Sequence, residues 1–365
     1  MNEKEKLILE LIRKNPFITQ SKLAEELDLS RSAVAGYISS LTKQGKIIGR
    51  AYVLPEPSRI MCIGGANVDR KAQAQSSVQF GTSNPVTITQ SCGGVARNVA
   101  ENLGRLGSSV SLLTVVGDDQ EGEWLLSITS PYVDTSQTMK VEKMNTGTYT
   151  AVLDHDGEMV IALADMAIYD TVSQDFIQKR WSHISSASMV LLDTNFPSDV
   201  LQMVIERCYQ EKIPLCIAPV SAPKVKKLPA NLNGVTWLIA NKDEAMTLAG
   251  LESGNVEEAC EKILTLGAEN VIITQGEKGI VYKNKKGEHG TISAPKLKVI
   301  DATGAGDSFT SGFLYGMNNG ESFEKACKLG MSCSIIALQT KETVCTQLNE
   351  HLLNQTYKQY FSEEA

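Results

Sequence analysis

Two kinds of hydrophobic pattern divide the chain. Up to residue 54 the apolar residues recur at helical spacing, whereas after residue 59 short apolar runs alternate with longer amphipathic stretches. In the first part, Leu7, Ile8, Leu11 and Ile12 form a stripe that a helix would bury, and Asn15-Pro16 ends it. Thr19 or Ser21 can cap a second helix with Leu23, Ala24 and Leu27 inward. After a turn at Asp28-Leu29-Ser30, Ser30 can cap a third. That helix turns Val34, Ile38 and Leu41 inward and Arg31, Ser32, Gly36, Tyr37 and Lys43 outward. Gly45-Lys46-Ile47-Ile48-Gly49-Arg50 then reads as a turn into a short hairpin strand. Pro55 and Pro57 favour an extended connection, so the boundaries fall at 1–54, a linker at 55–58, and 59–365.

In the second part the runs 60–63, 111–115, 189–192, 214–217, 237–240 and 271–274 predict strands with helical segments between them. This is the α/β pattern of a mostly parallel sheet flanked by crossover helices. Ligands in such sheets sit at the carboxyl ends of the strands.

Composition narrows the setting. The first residues are charged and lead into no apolar signal core, and no apolar run approaches the roughly 20 residues a bilayer requires, so a cytoplasmic protein with no membrane contact is expected. The eight cysteines form no C-x-x-C pair, and the four histidines form no metal-binding spacing; reduced, buried thiols are expected and a zinc site is not. Residues 1–54 carry nine Lys/Arg against six Asp/Glu, while the chain as a whole has a net charge of −7. A mildly basic head on an acidic body hints at two jobs.

The polar residues that can carry chemistry fall just after the predicted strands. Gly64-Gly65-Ala66-Asn67-Val68-Asp69 follows the first; its glycines permit a tight turn, and Asp69 can accept from two adjacent sugar hydroxyls, although an Asx residue in a strand-end loop is common. Gly93-Gly94 opens a helix with Arg97 and Asn98 in its first turns, a loop that lets a ligand approach the backbone or merely begins a packed helix. Asn241 stands three residues before Glu244. That spacing suits a helix capping box, and equally a carboxylate near magnesium and phosphates. Thr274, Gly276 and Gly279 lie in a loop that is either a plain turn or a nucleotide contact. The strongest signal is Asp301-Ala302-Thr303-Gly304-Ala305-Gly306-Asp307. Small residues ahead of a helix expose N–H groups at the positive end of its dipole, and Asp307 in that turn can take a proton from a hydroxyl.

Residues 1–54 resemble the winged helix-turn-helix domains of bacterial transcription factors. That resemblance implies DNA contact through Arg31, Ser32, Lys43, Lys46 and Arg50, most plausibly by a dimer, since an excess of three positive charges binds weakly. A small helical appendage for dimerisation or packing is the alternative.

From Arg59 onward the motifs together resemble the PfkB-type, ribokinase-like kinases. Gly93, Gly94, Ala96, Asn98, Ala100, Gly107 and Gly117 meet one family pattern; Asp301, Gly304, Ala305, Gly306, Asp307, Ser311 and Gly312 meet the other. Ala302 departs from it, standing where Thr, Ser, Pro or Val is usual. The absence of G-x-x-x-x-G-K-[ST] rules out a P-loop kinase.

The resemblance implies Asp307 as catalytic base, with Gly304, Ala305 and Gly306 as the anion hole. It implies Asp69, Gly93, Gly94 and Asn98, with Asn67 beside them, at the sugar hydroxyls. Asn241 and Glu244 would organise phosphates and magnesium, and Thr274, Gly276 and Gly279 the ATP. A potassium ion near Asp301 and Thr303 carries over as an option. Segments of about 71–90 and 147–164 would form a small β-lid that closes over substrate and joins two copies. Arg97 and Thr148 are candidates for base contact from their place beside the motifs. Within the family, 94–107, 63–69 and 219–224 look most like pseudouridine kinases, implying pseudouridine plus ATP giving pseudouridine 5′-phosphate plus ADP. The alternatives are a kinase for ribose, inosine, cytidine or another sugar, and a DNA-binding regulator that uses the kinase fold as a ligand sensor.

Overall fold

At the N-terminus of the computed structural model, the Asn2 side chain accepts from the Glu5 N–H while Glu5 reaches back to the Asn2 N–H, a reciprocal cap that starts helix Glu3–Lys14. The structure describes residues 2–49 and 58–362. This helix buries Ile8, Leu9 and Ile12 and leaves Leu7 at the surface. The inward face is thus rotated from the expected stripe and carries Glu5 along with Ile8, Leu9 and Ile12. Thr19 caps Gln20–Leu27 and Ser30 caps Arg31–Lys43. Leu23, Leu27, Val34, Ile38, Leu41 and Ile47 close a core of their own. No strand forms between Gly45 and Gly49. Arg50, the rest of the expected hairpin and linker positions 55–57 lie outside the described residues.

The larger part is built on an eight-stranded sheet. Its order is His289–Ile292, Ile280–Asn284, Asn270–Thr274, Trp237–Asn241, Leu215–Ala218, Met189–Asp193, Ile60–Ile63 and Val110–Leu113. All neighbours are parallel except the first two pairs, which are antiparallel. The central strands are buried on both faces, which is why they read as unbroken apolar runs. Successive residues serve opposite layers: Met61, Ile63, Val190 and Leu192 pack with Phe176, Trp181 and Ile205, while Ile60, Cys62, Met189 and Leu191 pack with Val99, Phe309 and Phe313.

The run expected at 111–115 splits. The chain leaves the main sheet at Thr114, whose carbonyl accepts from Met139 N, and Val115–Gly117 pairs instead with Met139–Val141. A separate four-stranded sheet, ordered Val86–Gly93, Asn67–Ala74, Thr148–Leu153 and Met159–Asp165, stands where the lid is expected. It begins at Asn67, so it contains Asp69 itself. All eight cysteines are free and buried. No helix among the described residues is long and apolar enough to cross a membrane.

Candidate active site

The site is organised around a carboxylate that the sequence reading passed over. Asp193 ends strand Met189–Asp193, is fully buried, and accepts from Gly65 N at 2.8 Å, Ala96 N at 3.1 Å, Asn195 N at 2.8 Å and Asn195 Nδ2 at 2.9 Å. It thereby ties the loop after the first strand to the start of helix Val95–Arg105. Gly64 and Gly65 are required here, because a side chain on either would collide with Asp193 or Asn195. Lys224 donates to Asn195 Oδ1 at 2.5 Å, and Tyr169 donates to the Ala66 carbonyl at 2.8 Å, holding the same loop from behind. A polar Asp193-Thr194-Asn195 directly after a buried strand was the available signal.

From that loop the chain enters the lid. Asn67 Nδ2 donates to Asp69 Oδ1 at 2.6 Å, and burial pushes the Asp69 carboxyl up to about 6 against that hydrogen bond. Gly93 pairs with Asn67 across the strands, and its missing side chain leaves room for the Asp69 carboxylate. Gly94, at φ 97°, lies against the Gly65 carbonyl. The two glycines therefore let the Asp69 carboxylate and the Gly65 carbonyl come close to the backbone at the start of the helix.

Asn98 faces the reaction centre: its Nδ2 donates to Asp307 Oδ2 at 2.8 Å. Arg97 does not. It is 2% exposed, bonded to Thr129 Oγ1, the Cys92 carbonyl, Asn98 Oδ1 and the Glu101 carboxylate. Its guanidinium is consumed behind Asn98, which corrects the expectation of a base contact. Thr148 is also displaced. It pairs with Val68, so the pleat puts it on the face opposite Asp69, and Tyr149 is the residue level with that carboxylate.

Helix Ala305–Asn318 starts at Gly304, whose φ of 79° and contact with the Thr343 carbonyl exclude a side chain. Asp307 stands in its first turn, where N–H groups have no carbonyl within the helix to bond. Desolvation raises the Asp307 carboxyl to about 7; the Asn98 hydrogen bond opposes this, and the charges of Asp193, Asp69 and Glu244 reinforce it. A carboxylate poised near neutrality suits a general base. Beside it, a β-carbon on Gly306 would meet open space.

That space continues into a cavity of about 760 Å³, bounded by Ala302, Ala305 and Gly306 at one end and by Thr274, Gly276 and Gly279 along one wall. Ile280, Leu297, Ile335 and Leu338 make it apolar, while Lys278, Lys296 and Glu277 bring both signs of charge, with positive in excess. Asn241 lines an adjoining hollow with Thr274, Gln275 and Gly276. Its side chain accepts from Glu244 N at 2.9 Å and Glu244 Oε2 accepts from Asn241 N at 2.9 Å, so the capping arrangement is real. Glu244 is buried, and desolvation lifts it to about 7.

Asp301 is paired at both oxygens. Lys71 Nζ lies 2.8 Å from Oδ2, while Thr303 N and Oγ1 bond Oδ1 at 2.8 and 2.7 Å. Desolvation opposes ionisation, but Lys71 and Thr303 outweigh it and hold the carboxyl at about 2. With an ammonium already on this carboxylate, the arrangement does not fit a potassium ion at the same group.

A match to the pfkB family carbohydrate kinases runs over residues 57–348. The chain belongs to that family. A winged helix-turn-helix DNA-binding model matches residues 1–48. The sugar kinase YeiI of Escherichia coli is 30% identical over 341 residues, 92% of this chain and 94% of that protein, an alignment too long for the kinase region alone. Pseudouridine kinase of Escherichia coli is 31% identical over 294 residues, covering 79% and 93% of the two chains. Ribokinase of Arabidopsis thaliana, solved with ribose and ATP, superposes with a TM-score of 0.71 at 19% identity, over 83% of this pfkB kinase and 99% of that chain. The ribokinase-like fold of this chain and its N-terminal winged helix-turn-helix match agree with what the sequence predicts.

Proposed function

We propose that this kinase transfers the γ-phosphoryl group of ATP to the 5′-hydroxyl of pseudouridine. The observation that carries the reading is Asp307. It stands at a helix N-terminus, is held by Asn98 and raised to about 7, and lies where the cavity ending at Gly306 meets the substrate side marked by Asp69. Asp307 accepts the hydroxyl proton and the freed oxygen attacks the γ-phosphorus. The bond to the leaving ADP oxygen breaks while the N–H groups of Gly304 and Gly306, and that of Ala305 once it leaves its 3.3 Å bond to the Ala302 carbonyl, are assigned to the developing charge. Asn67, Asp69, Gly94 and Asn98 are assigned to the ribose side. Thr274, Gly276, Gly279 and Asn241 are assigned to the nucleotide.

Magnesium fits this arrangement. The ion would be held chiefly by the phosphates of ATP, with Glu244 acting through water. When bound, it neutralises phosphate charge. Pseudouridine is preferred over ribose, inosine or cytidine on the 31% identity to a pseudouridine kinase. Free, buried cysteines support a cytoplasmic setting.

The test is ADP release with magnesium, ATP and a panel of pseudouridine, uridine, cytidine, inosine, adenosine, ribose and fructose 6-phosphate. Turnover with pseudouridine is expected; turnover with another acceptor alone discards the substrate assignment and keeps the mechanism.

A second reading concerns the N-terminal domain, supported by its match to DNA-binding winged helices and by exposed Arg31, Ser32, Lys43 and Lys46. We assign DNA contact to that face, in a dimer. The exposed lid residues Ile88, Ile161 and Leu163 support pairing of two copies. Gel-shift titration at two salt concentrations and light scattering check both; no binding at low salt removes DNA, and a monomer at high concentration removes the dimer.

A further inference from the structure

Lys71 was assigned nothing by sequence, yet it makes the ion pair that joins the lid to the loop before Asp307. It stands two residues after Asp69 on strand Asn67–Ala74, so the pleat turns both side chains to one face. Asp69 reaches the substrate side from that face. Lys71 reaches 230 positions along the chain, its Nζ 2.8 Å from Asp301 Oδ2. The other Asp301 oxygen takes the Thr303 N–H and hydroxyl, and the chain passes directly into Gly304 and the helix that carries Asp307.

We propose that Lys71 is a positioning residue for phosphoryl transfer: closing the lid brings its ammonium onto Asp301, which balances that carboxylate and fixes the anion loop. The inference rests on the kinase reading above and deepens it.

Two physical arguments support this. Asp301 and Asp307 bracket a loop offered to phosphates, and an unbalanced Asp301 carboxylate beside it would repel the same anions; an ammonium in contact removes most of that field. The pair is also only partly buried, with side chains 43% and 26% exposed, so it adds little to stability. What it supplies is geometry and charge, and only while the lid is down. Lys71 further acts on Asp69 through space, favouring its ionised form, so one cation serves both ends of the cleft. The site needs no separate monovalent ion for this purpose, because the cation is covalently attached to the lid.

The test compares the full-length wild type with Lys71→Met and Lys71→Arg, in tetramethylammonium buffer and again with added ammonium or potassium. Two readouts are used: steady-state kinetics, and calorimetric binding of a non-hydrolysable ATP analogue, which requires no turnover. Wild type should be indifferent to the small cations. Lys71→Met should lose roughly 10- to 100-fold in kcat and about tenfold in analogue affinity, with KM for the nucleoside nearly unchanged. Ammonium should restore part of both, and Lys71→Arg most. Unchanged kcat and unchanged analogue binding in Lys71→Met overturn the proposal, as does a wild type that itself requires potassium. A wild type that binds the analogue but phosphorylates no acceptor defeats the kinase reading alone, and the binding arm still decides the role of Lys71.

Discussion

The amide nitrogen of Asn98 lies 2.8 Å from Oδ2 of Asp307, linking the first turn of one helix to the first turn of another across 209 positions. Arg97 Nη1 donates to Asn98 Oδ1 at 3.1 Å, which leaves only the nitrogen to face the carboxylate and so fixes the orientation of the amide. Asn98 therefore restrains the base as well as standing on the side assigned to the ribose.

This bond sets a pH dependence. Asp307 works as a base only when ionised, so activity should fall as pH drops through about 7. The Asn98 hydrogen bond lowers that value; Asn98→Ala removes it, and the acid limb of kcat/KM should move to higher pH. Asp307→Asn should lose at least about 100-fold at every pH. A full pH profile of each variant is the check, and an acid limb unmoved in Asn98→Ala would refute the coupling.

Gly304 and Gly306 separate folding from binding. A side chain at Gly304 meets both a φ of 79° and the Thr343 carbonyl, so Gly304→Ala should destabilise the protein by more than the about 1–2 kcal/mol of the backbone term alone. A β-carbon at Gly306 touches nothing. Gly306→Ala should therefore unfold like wild type in urea yet bind ATP at least about tenfold more weakly, because it fills the approach to the anion site. Equal loss of stability in both would remove the distinction.

The strands and the Asp301–Asp307 loop were legible because each is local. Continuous apolar runs mark doubly buried strands, and small residues before a helix mark an exposed N-terminus. Long-range pairing was not legible. Asp193 reads as an ordinary strand end until two distant loops fold onto it, and Lys71 as a solvent-facing lysine until Asp301 arrives. Arg97 was misplaced because a charged residue beside a glycine motif suggests a ligand, whereas its partners, Thr129 and Glu101, are helical residues that take it inward. Thr148 failed on register: one step along a strand reverses the face.

Arg97 leads to a prediction opposite to a specificity residue. Its guanidinium is buried against Glu101, which Arg105 also holds, with Nη2 2.7 Å from Oε1. Removing Arg97 leaves the buried Glu101 carboxylate to Arg105 alone and the Thr129 and Asn98 acceptors short of a donor, at a cost of about 1–3 kcal/mol. Arg97→Ala should lower the unfolding midpoint sharply and reduce activity with every nucleoside alike. A selective rise in KM for one nucleoside, at unchanged stability, would restore the base-contact role.

Asp193 acts on the same base with the opposite sign to Asn98. It accepts four N–H groups, and its charge raises Asp307. In Asp193→Asn one carboxylate oxygen becomes an NH₂ that must face a former donor, which costs about 1–3 kcal/mol of stability. The buried negative charge also disappears, so Asp307 should ionise more easily and the acid limb should move to lower pH, contrary to Asn98→Ala. Burial raises Asp193 itself while the N–H groups oppose this, so the profile also reports its state. A downward shift identifies Asp193 as an anion during turnover. A limb that stays in place, with the stability loss present, means that Asp193 is protonated in the working enzyme and that the raised value of Asp307 comes from desolvation, Asp69 and Glu244.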